Sequence, residues 1–315
     1  MSVPEFSVFP EVPRTEGSRR KPGRLGVGVI GAGRVGAVLG AALRAAGHAV
    51  VGVSAVSEAS RERAENLLPG VPVLEIPQIV ERAELVLLAV PDDALPDLVS
   101  GLAAVGAWQP GQLVAHTSGR FGTAVLEPAR KLGAIPLALH PAMTFTGMSL
   151  DLTRLPDSMF GVTAPSAVLP VAQALVVEMG AEPVVIEEED RVLYHAALAH
   201  ASNHLVTLAA QSTQLLGSIG VERPDRLLGP LMRASLENAL AAGEGALTGP
   251  VARGDAGTVA AHARALAGAP EDIHSAYTQL AGVTARRAVE RGVLTADQAR
   301  AIIDALTASG QEGTE

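Results

Sequence analysis

Residues 25–47, LGVGVIGAGRVGAVLGAALRAAG, constrain the fold more than any other stretch of the chain. An apolar run that reads as a buried strand ends in glycines at fixed spacing, and a helical pattern follows at once. Gly31 permits a tight turn, Gly33 lets the backbone come close to a ligand, and Gly36 lets helix and strand pack together. A helix opening there leaves its first amide N–H groups unpaired, and its dipole favours negative charge at that end. A pyrophosphate is the ligand such a turn accommodates. The glycine spacing is a weak signal by itself. The strand before it, the helix after it and a second apolar strand at residues 50–53 give it weight.

Gly31, Ala32, Gly33, Arg34, Val35 and Gly36 are therefore the expected dinucleotide contacts, Arg34 as an adenine or phosphate partner. An acidic residue at the end of the second strand would grip a ribose 2'-hydroxyl and mark NAD(H), but Ser54 stands there. NADP(H) is the expected cofactor and NAD(H) the less favoured one. Ser57 and Arg61 can meet a 2'-phosphate, the guanidinium offering a planar fork; Arg61 is equally readable as an exposed helix residue.

Beyond residue 47, short Val/Leu/Ile-rich runs alternate with helix-length segments: HAVVGV, AELVLLAV, QLVAHTS and IPLALHP. This is the rhythm of a parallel sheet with crossover helices. SMFGVTA and AEPVVIEEE, flanking another helical pattern, complete the sheet. After Asp190 strand signals stop and Ala/Leu-rich helical stretches take over. The expected fold is α/β, a Rossmann-type doubly wound parallel sheet followed by an all-α C-terminal domain. Residues 1–24 read as a flexible tail, 25–188 as the dinucleotide-binding domain, and 189–308 as a helical substrate and dimerisation domain.

With 48% hydrophobic but only 3% aromatic residues, the core must be built from Ala, Val and Leu, which suits strands covered by helices. A net charge of -9 without a basic face argues against a nucleic-acid partner. The lack of cysteine removes disulfides, thiolate nucleophiles and Cys-ligated metals. With neither a long uncharged apolar run nor a signal-peptide pattern, no membrane is expected and a cytoplasmic location is the simplest reading.

Ligands of open α/β sheets collect at the carboxyl ends of the strands. Here those ends carry Ala89-Val90-Pro91-Asp92, His116-Thr117-Ser118-Gly119 and His140-Pro141. Ala89, Val90, Pro91 and Ser118 are expected beside the cofactor, and Thr117 and His140 beside the substrate. His116 and Thr117 can also simply satisfy backbone groups of a turn. Farther on, Tyr194, His195, His200, Asn203 and His204 crowd one long helical stretch. His195 and Asn203, eight residues apart, share a broad helix face. His200 and His204 lack a third ligand at a persuasive spacing, so no metal is expected. A carbonyl that accepts hydride needs a proton donor or a hydrogen bond to its oxygen, which His or Asn can supply.

GVIGAGRVG, LLAVPDDAL, VAHTSG, LALHPAMTF, YHAALAHASNHLVTL and ALTGPVARGD, in that order, resemble the Rossmann-like reductases whose C-terminal half is the domain of unknown function 2520. The resemblance spans residues 25–306. Those proteins are similar in layout to 6-phosphogluconate dehydrogenase, pyrroline-5-carboxylate reductase and ketopantoate reductase. The resemblance implies an alternative type of ketopantoate reductase, which makes pantoate for coenzyme A. One departure stands out: many β-hydroxyacid dehydrogenases carry a catalytic Lys four residues before an Asn on this helix, and here Ala199 precedes Asn203. The chain has only Lys21 and Lys131, so no lysine of the helical half replaces it.

His195 or His200 is therefore expected as proton donor or carbonyl anchor, His195 first, with Asn203 orienting a small 2-oxo acid. Thr248 and Arg253, in the loop TGPVARGD, offer an anion-binding arm, Arg253 as a carboxylate clamp; an Arg253–Asp255 pair that merely ties the loop is the plain alternative. A homodimer is expected, because so apolar a helical half pairs readily with its twin. Two rivals stay open: an imine reductase of the pyrroline-5-carboxylate reductase type, and a non-catalytic NADP(H)-binding sensor or scaffold.

Overall fold

The computed structural model describes residues 24–308; the tail expected at residues 1–24 and the fraying expected from Gly310 lie almost wholly outside them. The sheet has seven strands: β1 (Gly26–Ile30), β2 (Ala49–Ser54), β3 (Leu85–Leu88), β4 (Leu113–His116), β5 (Ile135–Pro141), β6 (Met159–Thr163) and β7 (Glu182–Val185). Their spatial order is β2-β1-β3-β4-β5-β6-β7. Helices α1 (Arg34–Ala45), α2 (Glu58–Leu67), α3 (Ile76–Arg82), α4 (Leu95–Ala104), α5 (Glu127–Arg130), α6 (Leu150–Arg154) and α7 (Leu169–Glu178) connect them.

Alternation within the strands sorts the core onto two faces. Val27, Val29, Leu85, Leu87, Leu113 and Ala115 pack with α1 and α7 residues, whereas Ile30, Val86, Leu88 and Val114 pack with Ile79, Val99 and Trp108 on the other face. Both faces are covered, which is why the strands read as continuous apolar runs. β2 and β3 follow β1 in the chain but lie on opposite sides of it, so the carboxyl ends of β1 and β3 bound the crevice where such sheets take ligands.

The sheet departs from the all-parallel expectation at one place: β6 runs antiparallel to β5, and β7 is parallel to β6. The physical reason lies in residues 142–158. They contain only the five residues of α6 and a single 3-10 turn, and α6 packs beside α1, so the chain turns back at the same edge and makes no crossover. The reversal sets Gly161 opposite His140.

The chain divides into two compact units between Leu198 and Ala199. The break falls inside α8 (Arg191–Ser218), which is followed by α9 (Pro224–Ala242), α10 (Ala256–Leu266), α11 (Glu271–Glu290) and α12 (Ala296–Ala308). The second unit has its own small core of Val259, Ala281, Ala285, Ile302 and Leu306 from α10, α11 and α12. Among the described residues, no helix is long and apolar enough to cross a membrane.

Phe160, fully buried in β6, is one of the few aromatic residues that fill the larger core. Phe160→Ala is expected to cost about 3–5 kcal/mol, read from the urea midpoint of a two-state unfolding curve.

Candidate functional site

The glycine turn is held from three sides. Gly31, at φ 98°, donates its N–H to the Ser54 hydroxyl at 2.9 Å, and Ala32 donates to the Ser54 carbonyl at 2.8 Å. Ala89 donates to the Ile30 carbonyl at 2.8 Å. A β-carbon at Gly36 would overlap the Gly31 carbonyl oxygen and come within 2.8 Å of Ala89 Cβ, so only glycine lets α1 start so close to β1. A β-carbon at Gly33 would meet nothing within 4 Å among the described residues, and no side chain caps α1. The amides of the first helical turn are thus left to an outside acceptor.

Two guanidinium groups flank this opening. Arg34 is exposed on the first turn of α1, and Arg63 donates to the Ala32 carbonyl at 3.3 Å. Both lie against Gly147, whose absent side chain leaves them room. The turn carrying Gly147 is tied by Asp151, a fully buried carboxylate that accepts from the amides of Thr146 and Gly147 and from the Thr146 hydroxyl. Neither Arg63 nor Asp151 was singled out by the sequence reading. The signal for Arg63 was present: Ser60, Arg63, Ala64 and Leu67 fall on the inward face of α2, and Arg61 on the outward one.

Several expected cofactor contacts do other work. Ser54 is buried and its hydroxyl accepts from the Gly31 amide, so it holds the turn from beneath. Ser118 is also buried: its hydroxyl accepts from the Phe121 amide at 3.3 Å and its own N–H is given to His116 Nδ1 at 3.2 Å. Ser57 caps α2, accepting from Ser60 N, and is exposed there; Arg61 is exposed on the same helix. Ala89 and Val90 pack on the glycine turn, Pro91 is exposed beside them, and half-buried Thr117 is anchored through its N–H to the Leu88 carbonyl.

At the carboxyl ends of β4 and β5 the structure gathers three rings. His140 Nδ1 lies 2.8 Å from the Tyr194 hydroxyl, and the His195 ring meets the His140 ring edge-on at a centroid distance of 5.8 Å. Two glycines make the space. A β-carbon on Gly161 would sit 2.6 Å from the Tyr194 oxygen, and one on Gly119 would sit 2.5 Å from His195 Cδ2 and 2.9 Å from His140 Nε2. Burial lowers the pKa of His140 to about 4, helped by the charges of His195 and Arg191. Burial raises that of the Tyr194 phenol. Beneath the rings Arg191, almost fully buried, donates to Thr163 Oγ1 and to the carbonyls of Ala138 and Gly161, while its Nη1 has no partner among the described residues.

His116 is a structural residue. Its Nδ1 receives the Ser118 N–H, so its Nε2 carries the proton and donates to the Gly122 carbonyl at 2.8 Å. The same loop is clamped by Glu188, whose carboxylate accepts from the amides of Thr123 and Ala124, and by Arg120, which pairs with Asp92 and Asp93.

The remaining expected residues belong to the second unit. His200 and Asn203 are exposed on α8, and His200 Nδ1 is 2.8 Å from His204 Nδ1. Thr248 borders two hollows of about 320 and 630 Å3 within that unit. Arg253 is exposed and makes no ion pair among the described residues, since the Asp255 carboxylate caps α10 by accepting from the amide and hydroxyl of Thr258. The plain alternative of an Arg253–Asp255 tie is thereby replaced by a helix cap.

Two family models match in tandem: the Rossmann-like domain at residues 11–141 and the domain of unknown function DUF2520 at residues 158–284. The chain is a Rossmann-like protein with a C-terminal DUF2520 domain. This bears out the resemblance read from the motifs. Among solved structures the fold is shared with a Bacteroides fragilis protein that carries the provisional name NADP oxidoreductase, at 22% identity and a TM-score of 0.71, covering 84% of this chain and 99% of that one. It is shared with an imine reductase from Pseudomonas sp., at 16% identity and a TM-score of 0.56, covering 92% and 95%. It is shared too with a Plasmodium falciparum pyrroline carboxylate reductase with NADP bound, at 11% identity and a TM-score of 0.52, covering 91% and 98%. No curated protein matches the sequence.

His116 is fully buried with its pKa lowered to about 4 from 6.5, chiefly by burial. The folded chain therefore takes up this proton less readily than the unfolded chain. The stability that neutral His116 contributes is complete above pH 6.5 and is lost as pH falls towards 4. At pH 5 the loss is roughly 2 kcal/mol, at about 1.4 kcal/mol per pH interval of one. Thermal melts of the wild type and His116→Gln between pH 7 and 4.5 should show the variant less stable at pH 7 and with the shallower decline.

Proposed function

We propose that this protein is an NADP(H)-dependent reductase of a small 2-oxo acid, with ketopantoate as its leading substrate. The observation that carries the reading is the uncapped first turn of α1, entered through Gly31, Gly33 and Gly36 and flanked by Arg34 and Arg63. The amides there suit a pyrophosphate, and the guanidinium groups suit the added charge of a 2'-phosphate. β2 ends in Ser54, with no acidic side chain on the strand in the place that phosphate would take. The fold shared with oxidoreductases, one of them holding NADP, supports the same reading. When bound, the cofactor supplies hydride; Gly33 admits its phosphates and Val90 and Pro91 border the same edge.

Reduction of a carbon–nitrogen double bond is the second reading, favoured by the shared fold with imine and pyrroline carboxylate reductases and by Ala199 in the place of a lysine. NADPH oxidation measured with ketopantoate, other 2-oxo acids and cyclic imines separates the two. Turnover with a 2-oxo acid is the expected result, and turnover with cyclic imines alone would overturn it. Tight NADPH binding without oxidation of any substrate would instead mark a sensor or scaffold. Arg63→Ala should weaken NADPH binding roughly ten-fold while changing NADH binding much less, the loss of one charge-assisted phosphate contact. Equal loss for both coenzymes would remove Arg63 from 2'-phosphate recognition.

We also propose a homodimer. Among the described residues α9 buries none of its side chains and α8 only Arg191, although Leu205, Leu208, Leu227, Leu231 and Leu240 line them. Apolar helix faces of this extent need a cover, and a second copy supplies a matching one. Sedimentation equilibrium should give twice the chain mass, and Leu231→Glu with Leu240→Glu should halve it; a monomeric wild type would refute the proposal.

A further inference from the structure

We propose that His140, held by Tyr194 in the tautomer with its proton on Nε2, is the hydrogen-bond donor to the substrate's carbonyl oxygen. This assigns the donor role to a strand residue in preference to His195, and makes Tyr194 a positioning residue. It rests on the reductase reading above and deepens it.

A histidine without charge is either donor or acceptor at a given nitrogen, and its partner at the other nitrogen decides which. The Tyr194 hydroxyl lies 2.8 Å from Nδ1. A phenol O–H is a stronger donor than a neutral imidazole N–H, and an unprotonated ring nitrogen is a stronger acceptor than a phenol oxygen, so at this distance the Tyr194 proton points to His140. Nδ1 is then the acceptor, and Nε2 carries the proton. Nε2 has no hydrogen-bond partner among the described residues and is not sealed from solvent, so a donor stands open beside Gly119 at the carboxyl edge of the sheet. His195, by contrast, offers only its ring edge to His140 and makes no hydrogen bond among the described residues.

The donor keeps its character across the working pH range. The ionisable groups acting on His140 are His195, Arg191 and His116, which oppose its protonation, and Asp92, which favours it; burial outweighs Asp92. His140 therefore stays neutral down to about pH 4. A neutral imidazole that donates a hydrogen bond can hold developing negative charge on oxygen. As the carbonyl carbon takes up hydride, the π pair moves to oxygen, the Nε2–H stabilises it, and water at the open face supplies the proton that completes the alcohol. An iminium nitrogen already bears a proton and asks for an acceptor, so this tautomer favours a carbonyl substrate over an iminium.

The two glycines that seat the rings fit this assignment. Gly161 faces His140 across the β5–β6 pair and leaves the volume the phenol fills; Gly119 leaves Nε2 uncovered. A larger residue at either position would displace the phenol or cover the donor.

Long-range proton–nitrogen NMR of 15N-histidine-labelled protein at pH 7 tests the tautomer without cofactor or substrate, with His140 assigned by its loss in His140→Gln. Nδ1 is expected at the shift of an unprotonated ring nitrogen and Nε2 at that of a protonated one. Tyr194→Phe should give mixed tautomers, with kcat for the 2-oxo acid reduced roughly five- to ten-fold and KM within about two-fold. His140→Gln should lower kcat by about 10²- to 10³-fold, the usual loss for one donor to an oxyanion, with NADPH affinity retained. A wild-type spectrum showing Nδ1–H, or a Tyr194→Phe protein with unaltered tautomer and kcat, would overturn the proposal. The wild-type spectrum decides the first point even if a variant fails to fold. Absence of NADPH binding would sink the reductase reading instead and leave the tautomer measurement standing.

Discussion

A helix can begin after only three residues beyond a buried strand if its backbone is allowed against that of the strand's own turn. In this protein the permission is given at Gly36, where any β-carbon would overlap the Gly31 carbonyl. The contact brings α1 close to β1 and Ala89 of the neighbouring strand end against the turn, and among the described residues no side chain caps the first-turn amides. Ser54 completes the arrangement from below by taking two amides of the turn, one on its hydroxyl and one on its carbonyl. Everything at the carboxyl edge of the sheet is placed relative to this rigid corner.

Glycines do similar service at a second point. The rings of His140, Tyr194 and His195 occupy volume that Gly119 and Gly161 leave vacant. A polar cluster in so tight a pocket would be costly if charged, and burial keeps both His116 and His140 neutral. Neutral histidines with one nitrogen committed to a fixed partner act as directional groups: His116 points into the loop and secures it, and His140 points outward.

The sequence made the sheet legible because both its faces are covered, so each strand is an unbroken apolar run, and the glycine turn was legible because its spacing is tied to backbone geometry. The reversal at β6 was hidden, since strand direction depends on whether the linking segment crosses the sheet, and residues 142–158 carry no pattern that says so. The anchoring role of Ser54 and Ser118 is hidden for a related reason: a hydroxyl at a strand end serves a ligand or a backbone amide equally well, and only coordinates show that each accepts a backbone amide here. Arg63 was overlooked although helix periodicity turned it inward, because Arg61 stood closer to the strand end. Tyr194 was noticed only as part of a crowd on one helix; its significance depends on an empty position 33 residues earlier in the chain, at Gly161.

Glu188 ties together two segments distant in sequence. It grips the amides of Thr123 and Ala124 in the loop that follows β4, yet it sits three residues before Arg191, where α8 begins. Arg191 in turn is bonded to β5 and β6, and Tyr194 one turn later to His140. The opening of α8 is thus riveted at successive points to the loop and strands that carry the ring cluster. A twist of that first turn would be transmitted as displacement of the ring cluster, much as a key turns the bolt it is fixed to.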